Sequence, residues 1–261
     1  MAMYFTTDTH FGHPLVSALR GFITVPAIKE EYDRIAAEQG RAEATLYVKR
    51  AVAVDPSLSM RAIADTDAHD RAVIASINAT IEAGADEGVD LWILGDIGYR
   101  TTMEHIRHCL RALHADRLHL VIGNHDINFH HRELDSEWRH VFATIQDSAR
   151  VEIDGVTYNL SHFPYRDDLG PARSGTDGDR ASGTGSGSAS AGTPARDGSD
   201  NAYDTGFAAD ALPRDGHRLL FGHTHQHTKP GRNHDSLHVG LDSWDLKPVS
   251  EAEVTAWFAS L

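Results

Sequence analysis

The chain has 261 residues, of which 41% are hydrophobic, and its formal net charge is −14, from 24 basic and 38 acidic side chains. This length suits an α/β fold with a full core, and we interpret residues 1–261 as a single domain. No run approaches 18 apolar residues, which excludes a transmembrane span and predicts no membrane partner. The acidic balance would repel a phosphate backbone and no basic stripe is visible, so nucleic acid is disfavoured as a partner.

The cysteine and histidine contents indicate the cellular compartment of the protein and the kind of site that it carries. The single cysteine, Cys109, excludes an intrachain disulfide and favours a reducing, cytoplasmic location. Residues 1–8 have no basic leader and no cleavable apolar segment, so we interpret the start as a first strand. The 18 histidines exceed what surface chemistry needs, and histidine is the commonest metal ligand among side chains.

The first half of the chain predicts alternating strands and helices. Strands are predicted at 3–7, 89–94 and 118–122, and helices at 67–85 and from Thr101, with Glu104 as capping partner, to about 115. This order is a βαβαβ unit with right-handed crossovers. An insert at 27–66 carries two helical runs, with Leu46 to Val54 as the second, and forms either part of a lid or a peripheral helical layer.

The second half predicts a further group of strands. Residues 151–160 form a hairpin around Asp154-Gly155, strands follow at 217–221 and 236–242, and Ser250 with Glu253 caps a short final helix. Between them, residues 171–205 are rich in glycine, serine and alanine, so we predict a disordered surface loop without chemistry.

Polar residues follow five of these strands where each strand ends. They are Asp8 and His10, Asp96, Asn124 and His125, His162, and His223 with His225. Open α/β sheets place their ligands at the carboxyl ends of strands, so we expect these groups to converge. Two ions about 3.5–4 Å apart are the arrangement that phosphatases and nucleases use. A mixed Asp, Asn and His set suits Mn, Fe, Zn, Ni or Co better than Ca, which prefers oxygen alone.

These blocks resemble the calcineurin-like metallophosphoesterase superfamily. The family pattern is D-x-H, G-D, G-N-H-D, a lone H and G-H-x-H, and the chain has all five in order across residues 3 to 245. The segment 240–250 further resembles small bacterial and phage members. The resemblance implies a four-layer α/β/β/α sandwich of two mixed sheets. It also implies two divalent transition-metal ions per chain, with manganese as the first choice.

The resemblance also implies residue roles. Asp8, His10 and His225 would hold one ion, Asn124, His162 and His223 the other, and Asp96 would bridge them. A metal-bridging hydroxide would attack the phosphorus of a small phosphomonoester or phosphodiester. His125 would protonate the leaving oxygen, and Asp126 would hold His125 in the right tautomer.

Other assignments stay open at this stage. Arg100 and Arg166 follow site blocks and either bind substrate phosphate or are solvated, and His13 either lines the pocket or is structural.

A non-catalytic metal-binding scaffold and a nuclease are the alternative functions. The scaffold is disfavoured because no predicted ligand is missing, and the nuclease because of the net charge of −14.

Overall fold

A computed structural model of the protein describes residues 1–85, 88–126, 136–169 and 209–261, so the predicted loop at 171–205 lies outside the described residues. The chain is a mixed α/β protein with two mixed β-sheets. Its strands are β1 (Ala2–Thr6), β2 (Val89–Ile93), β3 (Arg117–Val121), β4 (Thr144–Gln146), β5 (Ser148–Ile153), β6 (Val156–Ser161), β7 (Arg218–Phe221), β8 (Ser236–His238) and β9 (Val249–Ser250). Its helices are α1 (Pro14–Leu19), α2 (Pro26–Gln39), α3 (Arg41–Val54), α4 (Met60–Ile63), α5 (Thr66–Gly84), α6 (Met103–Arg111) and α7 (Glu251–Ala259).

The first sheet has the strand order β4-β3-β2-β1-β9. Strands β1 to β4 are parallel and β9 is antiparallel to β1, so the predicted βαβαβ unit forms its centre. Side chains alternate between its faces as the apolar pattern predicts. Leu118 and Leu120 of β3 join the core under α5 and α6, whereas Val121 joins the core shared with the second sheet.

The second sheet has the order β5-β6-β7-β8, with the predicted hairpin at one edge and parallel pairs beyond it. Asp154 and Gly155 both have positive φ, at 50° and 75°, as a two-residue hairpin turn of this hand requires. Phe5 and Leu94 of the first sheet lie in one cluster with Leu160 and Leu220 of the second. The two sheets therefore share a buried apolar core.

Helix α1 and the insert build a small core of their own. Helices α1 to α4 pack around a cluster that includes Ala18, Tyr32, Ile35 and Val48, so these helices bury one another's apolar faces. Helix α1 was not predicted, because its six residues are too short to show a helical period. None of the helices in the described ranges is long and apolar enough to cross a membrane.

Several predicted boundaries were wrong. Helix α6 ends at Arg111 and not at about residue 115. Helix α3 begins at Arg41 and not at Leu46, because Gly40, with φ of 95°, allows the chain to turn directly from α2 into α3. The cap of α6 is Thr102 and not Thr101, since the Thr102 side chain accepts the N–H of His105. The strand predicted at 236–242 ends at His238, because the chain turns at 240–243, where Ser243 N donates to the Gly240 carbonyl.

Candidate metal centre

The candidate centre lies where the carboxyl ends of β1, β2 and β3 meet those of β6 and β7. The loops that follow these strands are joined by backbone hydrogen bonds. The N–H of Asp8 donates to the Gly95 carbonyl at 3.0 Å, and that of Gly222 donates to the His162 carbonyl at 3.0 Å. The parallel topology thus brings side chains from both sheets to one place, as expected for ligand sites of open α/β sheets.

Glycines allow these loops to approach one another. A Cβ on Gly95 would lie 2.6 Å from the Cα of Gly123 and 2.6 Å from the His162 ring, and a Cβ on Gly123 would collide with the Asp96 carboxylate. Only glycine leaves room for this approach. The glycines of the G-D and G-N-H-D blocks therefore have a packing role: they bring Asp96 and Asn124 together.

The backbone at the centre is strained at most of the predicted ligands. A left-handed φ occurs at five of them: Asp8 (58°), His10 (46°), Asp96 (55°), His223 (70°) and His225 (48°). Such a conformation costs of order 1–3 kcal/mol for a non-glycine residue and clusters at functional sites. The fold holds these side chains in place against their local preference.

The first group of donors is Asp8, His10 and His225, whose ligand atoms lie close enough to hold one ion. The Nε2 atoms of His10 and His225 are 3.1 Å apart, and Asp8 Oδ1 lies 3.9 Å from the first and 3.7 Å from the second. This is the set predicted for the first ion.

The second group places Asp8, Asp96 and His162 together, with Asn124 and His223 beside them. Asn124 Oδ1 lies 2.9 Å from His162 Nε2 and 2.9 Å from His223 Nδ1. Asp96 Oδ2 lies 3.5 Å from His10 Nε2 and 3.5 Å from His162 Nε2, so it stands between the two groups. The structure adds Asp8 as a second residue shared by both groups, which was not predicted.

The charges at the centre favour a bound cation. Asp8, Asp96 and Asp126 are buried carboxylates, and Asp8 Oδ1 has no hydrogen-bond partner among the described residues. Burial raises the pKa of Asp96 to about 7, and the neighbouring Asp8 and Asp126 add to the rise while His162 opposes it. A buried carboxylate oxygen without a partner is costly, and a divalent cation relieves that cost. The residues present therefore fit one or two hard or borderline divalent ions.

Hydrogen bonds of His162 and His225 fix which ring nitrogen of each faces the donor groups. His162 Nδ1 lies 2.7 Å from the Leu94 carbonyl, which can only accept, so the proton is on Nδ1 and Nε2 has the lone pair. His225 Nδ1 lies 2.8 Å from Asp242 Oδ2, which likewise directs Nε2 towards Asp8. This carboxylate–histidine arrangement is typical of metal sites in proteins.

Sequence reasoning missed Arg20 and Asp242. Arg20 donates to both Asp242 oxygens, at 2.8 and 2.9 Å, and to the Asp8 carbonyl at 2.9 Å. It thereby joins α1 to two of the strand ends. Asp242 follows β8, as the other site residues follow their strands. Its position after a strand could therefore have identified it as a site residue from the sequence. Arg20 lies at the end of a short helix, and the sequence around it contains no motif.

We expect Asp242→Asn to lower metal affinity by about 10–100-fold, the range typical for partners of ligating histidines. The amide no longer carries the charge that orients His225 and pairs with Arg20. Competition with a chelating dye measures the affinity. Asp245→Asn is the matched control, because Asp245 is three residues away with a side chain that is 79% exposed. Equal affinities in the two variants would contradict this role.

The predicted acid His125 lies beside the first donor group. Its ring centroid is 4.3 Å from that of Tyr99 and 5.6 Å from that of His10, and its backbone N–H donates to Asp96 Oδ1 at 2.8 Å. His13 is buried, with Nδ1 3.2 Å from His10 Nδ1, and burial lowers its pKa to about 4, with nearby cationic groups adding to the effect. Both rings line a cavity of about 660 Å³.

The role predicted for Asp126 was wrong. In the described part of the chain its carboxylate accepts the backbone N–H groups of Gly123 at 2.6 Å, Ile97 at 2.9 Å and Asp96 at 3.1 Å, and not the His125 ring. A short loop after a strand leaves these amides without ladder partners, and the buried carboxylate satisfies them. Asp126 therefore joins the loops after β2 and β3.

Because of these bonds, we expect Asp126→Ala to lower the free energy of unfolding by about 3 kcal/mol or more, since it leaves three buried N–H groups without an acceptor. Urea denaturation of the metal-free protein measures the change. If the variant lost turnover while unfolding at the same urea concentration, Asp126 would act on His125 after all.

Arg100 and Arg166, which were predicted as possible substrate-binding residues, lie in different places. Arg100 is exposed beside Tyr99, 5.4 Å from its ring centroid, and its charge reaches His13, so it lies at the rim of the centre. Arg166 donates to the Ala211 carbonyl at 3.0 Å and lines a separate cavity of about 240 Å³ with Ile122 and Phe163. The cavity beside His125 is not lined by Arg166.

A further cluster of possible ligands lies behind the centre. Asp70, His105 and Cys109 place their donor atoms close together. Asp70 accepts the Gly12 N–H at 2.9 Å and lies 2.8 Å from His69 Nδ1 and 2.7 Å from His105 Nε2. These bonds occupy the carboxylate and support the loop between His10 and His13, which explains the cluster without an ion.

Comparison with known proteins adds a structural likeness. No protein-family model and no curated protein matches the chain. Among solved structures, the chain is similar to the crystal structure of a protein of unknown function from Aquifex aeolicus, with a TM-score of 0.48 and 17% sequence identity over 98% of each chain. The functional conclusion therefore rests on the residues of the centre.

Proposed function

We propose that the protein is a dinuclear-metal-dependent phosphoesterase that hydrolyses a small phosphomonoester or phosphodiester. The observation that carries the proposal is the meeting of the seven predicted donors, which include the buried carboxylates of Asp8 and Asp96. Asp8 Oδ1 has no hydrogen-bond partner in the described residues. Two ions in such a centre would lower the pKa of water and neutralise charge on a phosphoryl group.

Different residues would hold each of the two ions. Asp8, His10 and His225 would hold one ion, Asn124, His162 and His223 the other, and Asp96 with Asp8 would be shared. Manganese is the first choice for this donor set, and iron, zinc, nickel and cobalt are the alternatives. The left-handed backbone at most of these residues fixes the donors before any ion binds, which reduces the cost of ordering them.

His125 would move a proton. Its backbone N–H donates to Asp96, and its ring lies beside that of His10 and lines the adjacent cavity. A substrate whose phosphoryl group lies against the donors would have its leaving oxygen beside this ring. His125 would protonate that oxygen as the bond to phosphorus breaks.

The proposal also includes the arrangement of the layers in the fold. We infer a four-layer α/β/β/α sandwich, related to the calcineurin-like metallophosphoesterases, within a single domain. The shared core of the two sheets supports the inner layers, and the packing of α5 and α6 against the first sheet supports one outer layer.

A phosphoester panel assayed with manganese-loaded protein tests the function. We expect turnover of at least one monoester or diester, with loss of activity after chelation and recovery on reloading. A panel with no turnover in the loaded protein, at two ions per chain, would favour a non-catalytic scaffold instead.

A further inference from the structure

The cavity beside His125 is larger than a phosphoryl group needs. Its volume is about 660 Å³, which is within the usual range for sites of small organic ligands and equals about twenty water volumes. Its lining includes His10, His125 and His225. The cavity is therefore continuous with the candidate metal centre.

A second part of the lining comes from α1 and from helix α3 of the insert. Leu15 and Leu19 of α1 and Leu46 of α3 line the cavity, and Leu15 is 42% exposed. Two hydrogen bonds hold this wall: Thr45 Oγ1 donates to the Leu19 carbonyl at 3.0 Å, and Tyr32 Oη donates to the same oxygen at 3.3 Å. The wall is thus formed before any ligand enters.

The charges of the wall indicate the kind of group that it accepts. Glu43 and Lys49 of α3 both line the cavity and offset each other's charge, while Asp242 is paired with Arg20. An anionic group would gain little net attraction from such a wall. Leucine side chains favour apolar surface, at about 25 cal/mol for each Å² that is removed from water.

We propose that this cavity binds a neutral, apolar organic group attached to the leaving oxygen of the phosphoester. The inference rests on the proposed function, because His125, which lines the cavity, would be the residue that protonates this oxygen. The natural substrate is then an aryl or long alkyl phosphoester and not a polyphosphate or a nucleotide. Helix α1 and the insert are the elements that determine this specificity.

Calorimetric binding of two phosphonates that cannot be hydrolysed tests the cavity without turnover. Manganese-loaded protein should bind naphthylmethylphosphonate at least tenfold more tightly than methylphosphonate. Leu46→Ala and, separately, Leu15→Ala should each lower that ratio about three- to tenfold through lost apolar contact. Val54→Ala is the matched control, since Val54 lies on α3, is 80% exposed and does not line the cavity. Leu15 is partly exposed, so its replacement leaves the fold intact even if Leu46→Ala does not.

Turnover provides a second test of the cavity assignment. The ratio of kcat/KM for naphthyl phosphate over phenyl phosphate should fall in both leucine variants and stay constant in Val54→Ala. Equal binding of the two phosphonates by the unmodified protein, or an unchanged ratio in both leucine variants, would overturn the cavity assignment even if esters are hydrolysed. A preference for the naphthyl phosphonate that both variants reduce, without hydrolysis of any ester, would support the cavity and overturn the proposed function.

Discussion

Replacing His125 with alanine is expected to lower turnover by about 10²–10⁴-fold while both metal ions stay bound, the range typical of a general acid. The reason is geometric: the ring lies beside the first donor group, with its centroid 5.6 Å from that of His10, and lines the cavity next to that group. The loss should be largest for alkyl esters, whose leaving oxygen needs a proton. It should shrink for nitrophenyl esters, whose leaving oxygen hardly needs one.

His223→Ala is the comparison for this prediction. His223 Nδ1 lies 2.9 Å from Asn124 Oδ1 within the second donor group, so its loss should lower metal content and activity together for every leaving group. Two results would contradict the role of His125: loss of metal in the His125 variant, or an equal rate loss across leaving groups of very different pKa.

The second large effect is expected for Asp96→Asn. Asp96 Oδ2 is 3.5 Å from a ring nitrogen of each donor group, so the substitution removes a negative charge from both at once. We expect metal content to fall from two ions towards less than one per chain, more than for any other single ligand, and turnover to fall by more than about 100-fold. Elemental analysis after dialysis against manganese measures the content.

Asp154→Asn is a suitable control, because Asp154 lies in the exposed hairpin turn, where asparagine tolerates the left-handed backbone. This variant should keep its full metal content. If Asp8→Asn removed more metal than Asp96→Asn, Asp8 would be the main shared ligand, as its membership of both donor groups allows.

Local patterns in the sequence predicted much of the fold. The alternation of Leu118, Leu120 and Val121 predicted which face of β3 each would take, and Asp154-Gly155 predicted the hairpin. Strand ends that carry Asp, Asn and His predicted the donors, because parallel strands present their carboxyl ends at one edge. Each of these patterns lies within a short stretch of the chain, so it can be recognised in a single sequence.

Contacts between distant segments could not be predicted in this way. Arg20 and Asp242 are 222 positions apart, and the bidentate pair between them appears only once the end of α1 has packed against the loop after β8. The role of Asp126 was wrong for a related reason: its carboxylate satisfies N–H groups at Asp96 and Ile97, some thirty positions earlier in the chain. The insert was left between a lid and a peripheral layer, and the cavity wall at Leu46 shows that it reaches the centre.

The metal stoichiometry of the unmodified protein, measured together with its phosphoester turnover, tests the central claim most directly. Native mass spectrometry during a manganese titration should show two ions per chain, and turnover of a phosphoester should reach its maximum only as the second ion binds. Saturation at one ion or none, or turnover that is complete before a second ion binds, would contradict a dinuclear centre built by Asp8, Asp96 and their partner residues.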